Sequence, residues 1–179
     1  MKKTIFFVLL ITSVISYGQE TKVKSDKNRT EIKLNLYSLS NQAIDFEFER
    51  TITSRSSFGL SFFTSLEEDN SIGYENHISA FYRYYLGKKY ASGFFIEGFG
   101  MYNSVDYVSS VSAIPPLFEI KKGYDSVNDF ALGLGVGYKW VSKKGIILQA
   151  NLSIGRNIFN YDLGEKVVGK IGVSIGYGF

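Results

Sequence analysis

The chain contains 179 residues, which favours a single domain, and it combines 18 Gly, 13 Tyr and 15 Phe with only 2 Pro. This composition is typical of β structure. The absence of Cys excludes disulfides, thiolate metal sites and lipid-anchored cysteines. Removal of a leader that contains Lys2 and Lys3 leaves 18 basic and 17 acidic residues, so the charge gives no reason to expect a nucleic-acid partner.

Residues 1–18 have the pattern of a secretory signal peptide, because two lysines precede an apolar run and a short polar region. The run is too short for a transmembrane helix, and no stop-transfer pattern follows it. We therefore predict export and cleavage after Gly18. Residues 19–29 are polar and aperiodic, which predicts a flexible periplasmic segment before a barrel domain of residues 30–179.

Large apolar residues alternate with small or polar residues through most of the remaining chain, which is the period of two that a β-strand produces. The pattern is clearest where Leu132, Leu134 and Val136 alternate with Gly133 and Gly135. No helical period is present after the leader. The alternation predicts eight strands, over residues 31–37, 43–49, 57–65, 77–86, 93–103, 129–140, 145–155 and 167–179.

The predicted connections alternate in length, which indicates that short turns lie at one rim and long loops at the other. The connections after odd-numbered strands are long, at residues 66–76, 104–128 and 156–166, whereas residues 38–42 form a short exception. Outer-membrane barrels have this arrangement, with both termini in the periplasm. Aromatic residues that would form a girdle fall at the predicted periplasmic strand ends: Tyr82, Tyr84, Tyr138, Trp140, Tyr177 and Phe179.

The size of the residues in each row distinguishes a membrane barrel from a soluble barrel or sandwich. A water-facing row usually carries Lys, Glu and Thr, but the polar row of strands six and eight is mostly Gly, Ala and Ser. Small residues suit the narrow interior of an eight-stranded barrel, which the bulky row would overfill. The sequence therefore predicts an all-β, eight-stranded, antiparallel, up-and-down transmembrane β-barrel.

In that geometry the polar row faces the interior and brings charges of both signs together. The predicted lumenal network consists of Lys33, Asp45, Glu47, Glu49, Arg83, Glu97, Asp129, Lys139 and Lys170. Because buried charges persist only when they are paired and hydrogen-bonded, we expect this network to fill the barrel. A narrow passive pore is the alternative.

His77 and Ser79 are the candidates for catalysis, since a His and a Ser two residues apart share one face of a strand. Outer-membrane lipid A deacylases resemble this pattern, with a Glu that orients the His. A lipid-cleaving site must face the bilayer, whereas His77 has the parity of Arg83 and should face the lumen or rim. We therefore predict no enzymatic activity, and a lipid-modifying enzyme remains an alternative function.

Other sequence features give no cofactor or metal site. The run Gly133–Gly137 lacks the spacing of a nucleotide-binding loop. Asp45, Glu47 and Glu49 could bind a hard cation, but nearby lumenal bases are the favoured partners. The acidic residues 67–69 are expected to form a solvated loop tip. The apolar residues 114–118, which include two prolines, are expected to pack over the barrel mouth.

Four segments, at residues 32–36, 46–50, 82–86 and 93–97, have the sequences IKLNL, FEFER, YRYYL and GFFIE. They resemble the small outer-membrane β-barrel proteins of unknown function common in Bacteroidota, and the resemblance covers residues 31–179. More distantly, the chain is similar to OmpA/OmpX-type, porin-like barrels. The resemblance implies a structural or surface-interaction role through the extracellular loops, and it supplies no catalytic residues.

The resemblance also implies the surroundings of the protein. These are outer-membrane lipid and lipopolysaccharide, with the barrel assembly machinery as a partner during biogenesis and a monomeric final state. Tyr177 and the terminal Phe179 resemble the C-terminal signal that this machinery recognises. We therefore expect Phe179 to matter more for assembly than for packing.

Overall fold

The computed structural model describes residues 29–66, 76–114, 119–159 and 167–179. The predicted signal peptide and most of the segment 19–29 lie outside these residues. So do the acidic residues 67–69 and residues 115–118 of the apolar stretch.

The described residues form eight β-strands and one short helix. The elements are β1 (Thr30–Asn35), α1 (Leu36–Ser40), β2 (Ala43–Thr53), β3 (Ser56–Ser65), β4 (Asn76–Tyr85), β5 (Gly93–Ile114), β6 (Glu119–Val141), β7 (Ile146–Asn157) and β8 (Val167–Gly178). Each strand pairs antiparallel with the next, and β8 pairs with β1. The predicted eight-stranded antiparallel barrel is therefore confirmed.

The barrel closes where the first and last strands meet. Leu34 of β1 lies opposite Ile175 of β8, and the backbone groups of Thr30 and Phe179 exchange two hydrogen bonds of 2.9 Å. Closure satisfies the backbone hydrogen-bonding groups that an open sheet leaves at its edges. Both Thr30 and Phe179 lie at the rim with the short β2–β3, β4–β5 and β6–β7 connections, which we call the turn end. The opposite rim is the loop end.

The two rows of each strand have the opposite arrangement from that of a water-soluble barrel. In β8, Val168 and Ser174 are buried, whereas Val173 and Ile175 are exposed. Around the described part of the barrel, the outward row is mostly large and apolar, whereas the buried row combines polar and charged side chains with aromatic ones such as Phe81 and Phe95. The alternative of a soluble barrel with its apolar row in the core therefore does not hold.

Aromatic side chains in the barrel interior pack against glycines of the inner row. Phe81, Phe95 and Phe99 are buried in the interior. A Cβ atom at Gly59, on the strand next to Phe81, would overlap the Phe81 ring, and one at Gly137 would overlap the Phe95 ring. The small residues of the inner row are thus required by the rings they face, because an eight-stranded interior is narrow.

The predicted loop at residues 104–128 is corrected by the structure. Most of it continues β5 and β6 as an antiparallel ribbon, from the pair Ser104 and Asn128 to the pair Ile114 and Glu119. A register shift lies between Val108 and Ser110. The physical reason is that this stretch is rich in β-branched and aromatic residues and has no proline before residue 115.

The end of the first predicted strand is also corrected. Residues 36–40 form the helix α1, so the strand predicted to extend to residue 37 ends at Asn35 instead. The Asn35 side chain accepts a hydrogen bond from the Tyr37 N–H, which caps the helix start. Within the described part of the chain, no helix is sufficiently long and apolar to cross a membrane.

Candidate functional site: the ionic interior of the barrel

Arg83 lies at the centre of a buried ionic cluster. Its guanidinium group donates to Glu47 at 2.7 and 2.9 Å, to Glu49 at 2.6 Å and to Glu97 at 2.8 Å. Glu97 lies directly opposite Arg83 in the pairing of β4 with β5. Because a guanidinium group presents five donors in a fixed fork, one arginine can bind these three carboxylates at once.

Lys33 extends the cluster toward β1 and β2. Its amino group forms close ion pairs with Glu47 and Glu49, and it also donates to the Gln149 amide oxygen at 2.9 Å. A Cβ atom at Gly176 of β8 would overlap the Lys33 side chain. The glycine of the closing strand therefore provides the space in which the lysine reaches its carboxylate partners.

Lys139 completes the cluster nearer to the turn end. Its amino group lies 2.9 Å from a Glu31 carboxylate oxygen and 2.8 Å from Glu49. It also lies 4.6 Å from the centre of the Tyr85 ring, and the Tyr85 hydroxyl donates to Glu49 at 2.6 Å. Every charge of this group is thus held by an opposite charge or a hydrogen bond, as buried charges require.

The other predicted network residues lie nearer to the loop end. Lys170 donates to Ser79 at 3.1 Å and lies 3.6 Å from Glu97, so it joins the edge of the cluster. Asp45 accepts a hydrogen bond from Asn35 at 2.9 Å. Asp129 is bound differently, because it accepts from the backbone N–H groups of Phe130 and Phe159, at 2.6 and 3.0 Å.

Three members of the cluster were not among the predicted residues. They are Glu31, Tyr85 and Gln149, all of them buried. Glu31 has the parity of Lys33 and Tyr85 has the parity of Arg83, so the alternation contains the signal that would have found them. Gln149 alternates with Leu148 and Ala150, so parity also assigns it to the inner row. Its position opposite Lys139 depends on the register between β6 and β7, which the sequence does not give.

A cavity of about 880 Å³ borders the interior side chains of Asp45, Phe63, His77 and Lys170 near the loop end. Its lining also includes the outward-facing Leu134, Val136 and Ile154, so this volume is not confined to the interior. The His77 ring stacks on Phe63 with the ring centres 4.7 Å apart. Ser79 shares a 2.6 Å hydrogen bond with Ser61. His77 and Ser79 are both buried and face the interior.

Two of the three acidic residues considered for a hard cation are paired with bases. Glu47 and Glu49 contact Lys33 and Arg83, whereas Asp45 accepts a hydrogen bond from the neutral amide of Asn35. Within residues 29–66, 76–114, 119–159 and 167–179, no group of three or more His, Cys, Asp or Glu side chains is placed to hold a metal ion. The contacts of the described site are ion pairs and hydrogen bonds between charged and polar side chains inside a closed wall.

Fold and interior together define a closed eight-stranded antiparallel barrel with a buried ionic cluster inside and large exposed apolar side chains on its outer surface. Residues 4–174 match the family described as "Protein of unknown function (DUF3575)", and the chain belongs to this family.

The fold is similar to that of the N-terminal β-barrel domain of OprF from Pseudomonas aeruginosa. The TM-score is 0.54 at 15% sequence identity, and the match covers 86% of this chain and 98% of the OprF chain. At this identity the similarity shows the fold alone. No curated protein matches the sequence.

Proposed function

We propose that the protein is an integral outer-membrane β-barrel with a side-chain-filled lumen, and that it has a structural or surface-interaction role through its loop end. The outer surface carries this proposal, because large apolar side chains cover it at mid-height; Leu134 is 73% exposed and Ile154 is 65% exposed. A band of this kind is unfavourable in water, whereas the hydrocarbon of a bilayer matches it.

The turn end supports the same proposal and gives it an orientation. Its outer surface carries exposed aromatic residues: Tyr82, Tyr84, Phe94, Tyr138, Trp140, Tyr177 and Phe179. Such a girdle is typical of the boundary between a bilayer and water. With the predicted signal peptide and the likeness to small Bacteroidota outer-membrane barrels, we place the turn end in the periplasm. Lipopolysaccharide would then surround the loop end.

A closed lumen rather than a pore is supported by the position of the ionic cluster. Arg83 joins carboxylates from β2 and β5, while Lys33 and Gln149 connect β1 with β7, so the cluster crosses the interior. Planar-bilayer conductance tests this point. We expect bilayers that contain the purified barrel to remain electrically sealed, whereas stable unitary conductance would support the passive pore.

A non-enzymatic role is supported by the surroundings of His77 and Ser79. Both face the interior rather than the surface that a lipid substrate would reach, and Ser79 is hydrogen-bonded to Ser61 and Lys170. We expect the substitution His77→Ala to leave the acylation of lipid A unchanged. Altered acylation in this variant would support the lipid-modifying enzyme.

Recognition of the C-terminus by the assembly machinery is proposed from Phe179. Its side chain is 63% exposed and so contributes little to packing, and Phe94 at the same rim is 67% exposed. We expect Phe179→Ala to lower the amount of barrel in the outer membrane, whereas Phe94→Ala should not. If the two variants reach the membrane equally, the terminal ring is not an assembly signal.

Cell fractionation tests the proposal as a whole. The mature chain is expected in the outer-membrane pellet, with release by detergent and not by salt or alkaline washing. A chain that is soluble in the periplasm without detergent would overturn the proposal.

A further inference from the structure

A groove of about 570 Å³ lies on the outer surface at the turn end, between the β4–β5 turn and the end of β6. Its lining includes apolar, aromatic and basic side chains: Leu86, Lys88, Lys89, Phe94, Tyr138 and Trp140. The ionic cluster described above does not account for this groove, because Lys88 and Lys89 are exposed rather than held in the interior.

The backbone of the β4–β5 turn fixes the shape of the groove. The Leu86 N–H donates to the Phe94 carbonyl oxygen at 2.8 Å, and the Ala91 N–H donates to the Ser54 carbonyl oxygen at 2.8 Å. Gly87 is required at the start of the turn, because a Cβ atom there would lie 2.8 Å from the Ser92 carbonyl oxygen. These contacts hold the turn against the neighbouring β2–β3 turn.

The two sides of the β4–β5 turn have different roles. Ala91 packs inward with Tyr85 and Phe95 in a buried cluster that closes the turn end of the interior. Lys88 and Lys89 lie on the solvent side of the turn. The turn thus holds two cations beside the aromatic girdle.

The groove has an uncompensated positive charge. Among the described residues that line it, none is acidic. Lys139 also borders the groove, but its amino group is paired inside the barrel with Glu31 and Glu49. The charge that the groove presents to a ligand is therefore that of Lys88 and Lys89.

The apolar wall of the groove lies directly beside these cations. The rings of Phe94 and Tyr138 contact each other edge to face, with centres 4.9 Å apart, and both are exposed. Trp140 continues this wall toward the turn end. Cations next to exposed aromatic side chains at a bilayer boundary match a molecule with an anionic headgroup and hydrocarbon chains.

We propose that this groove binds an anionic phospholipid of the periplasmic leaflet. Lys88 and Lys89 pair with the charged headgroup, and the acyl chains lie against Phe94, Tyr138 and Leu86. The inference rests on the proposed membrane location and orientation, which place lipopolysaccharide at the opposite rim. The barrel would then have one specific phospholipid site on an outer surface that elsewhere contacts bulk lipid.

Trp140 is a built-in reporter for this site, because it lines the groove and is the sole tryptophan of the chain. The mature protein is reconstituted into phosphatidylcholine vesicles that contain a small fraction of phosphatidylglycerol. Either lipid is supplied with brominated acyl chains, which quench tryptophan fluorescence on contact. We expect brominated phosphatidylglycerol to quench Trp140 at lower mole fractions, with a preference of about fivefold for each lysine engaged.

A matched pair of variants separates a site from a generally basic rim. K88Q/K89Q should remove the preference, whereas K143Q/K144Q should keep most of it. The second variant removes the same charge from two exposed lysines of the neighbouring turn, which do not line the groove. An equal loss of preference in both variants would overturn the proposal in favour of general rim electrostatics.

Two further outcomes distinguish the possible failures. If brominated phosphatidylcholine does not quench Trp140 at all, the barrel is not in the bilayer and the proposed function itself fails. If it quenches as strongly as brominated phosphatidylglycerol, the barrel is inserted but the lipid site does not exist. If inorganic phosphate at constant ionic strength abolishes the stronger quenching of Trp140 by brominated phosphatidylglycerol, the site binds free phosphate and the assignment to a lipid is overturned.

Discussion

The inner and outer faces of the barrel wall differ in chemistry at almost every strand. On β6, Lys139 is buried and bound to two carboxylates, whereas its neighbours Tyr138 and Trp140 are exposed. On β4, Arg83 is buried between the exposed Tyr82 and Tyr84. Charge therefore lies inside, where partners neutralise it, and apolar area lies outside.

The two faces also differ in the size of their residues. Glycines on the inner face, such as Gly59 and Gly137, face aromatic rings that leave no room for a Cβ atom. On the outer face, a Cβ atom added at Gly169 would come no closer than 4.0 Å to the Ser153 carbonyl oxygen, its nearest neighbour outside the adjacent residues. An added Cβ atom would therefore clash at Gly59 and Gly137 on the inner face but not at Gly169 on the outer face.

The largest effect is expected from removal of the central cation of the inner face. Arg83→Met would leave Glu47, Glu49 and Glu97 without their shared partner in the buried interior. Removal of one partner from a buried ionic group costs about 3–5 kcal/mol. Equilibrium urea unfolding in lipid vesicles measures this loss.

Arg83→Lys is the control for the Arg83 experiment. It keeps the charge but loses the fork of donors, so its free energy of unfolding should lie between that of wild type and that of Arg83→Met. A loss below about 1 kcal/mol for Arg83→Met would mean that the ionic cluster does not hold the interior together.

A charge placed on the outer face should have an effect that depends on depth. Leu134→Arg puts a cation near the middle of the wall and is expected to cost about 2–4 kcal/mol in a bilayer, whereas Ile52→Arg, near the β2–β3 turn, should cost about 0–1 kcal/mol. Both residues are exposed, so a barrel in water would tolerate the two substitutions equally. Unfolding in vesicles compares them, and equal small costs would contradict a lipid-facing outer surface.

Glycine substitutions compare the two faces directly. Gly137→Ala would overlap the Phe95 ring and lie 2.6 Å from the Ala150 carbonyl oxygen, so we expect a loss of about 1–3 kcal/mol from overpacking. Gly169→Ala on the outer face should be neutral or slightly stabilising, because glycine weakens strands. The same unfolding measurement applies. Equal effects would show that the interior has room for added atoms.

The smallest effect is expected at the edge of the ionic cluster. Lys170 lies 3.6 Å from Glu97, its side chain is 9% exposed, and Glu97 keeps contacts with Arg83 and Ser153 when Lys170 is removed. We expect Lys170→Met to cost about 1 kcal/mol or less, because the lost ion pair is long and Glu97 retains its closer partners. A cost equal to that of Arg83→Met would show that the cluster extends undiminished to the loop end.

The architecture was predictable because it depends on two patterns that can be read directly from the sequence. Parity assigns each residue to one face, and the alternation of connection lengths assigns each strand end to one rim. Together they predicted the barrel and placed Arg83 and Lys139 on the inner row. The ribbon that extends β5 and β6 was missed because pairing beyond the barrel depends on cross-strand contacts, and α1 because a five-residue helix is too short to show a period.

The pairing inside the lumen was less predictable than the list of its members. Parity places Asp129 on the same row as Lys139, but their heights along β6 differ, so Lys139 meets Glu31 while Asp129 binds backbone N–H groups near the loop end. Which acid meets which base depends on the stagger between strands. A single sequence with a period of two contains no information on that stagger.

Thiol labelling tests most directly whether lipid rather than water covers the outer face. The chain has no Cys, so Leu134→Cys and Lys144→Cys each introduce a single reactive group, the first at mid-height on the outer face and the second on an exposed turn. In isolated outer membranes, a water-soluble maleimide should label Lys144→Cys within minutes and leave Leu134→Cys unlabelled until the membrane is dissolved and the chain unfolded. Labelling of Leu134→Cys as fast as Lys144→Cys would contradict the proposed membrane barrel.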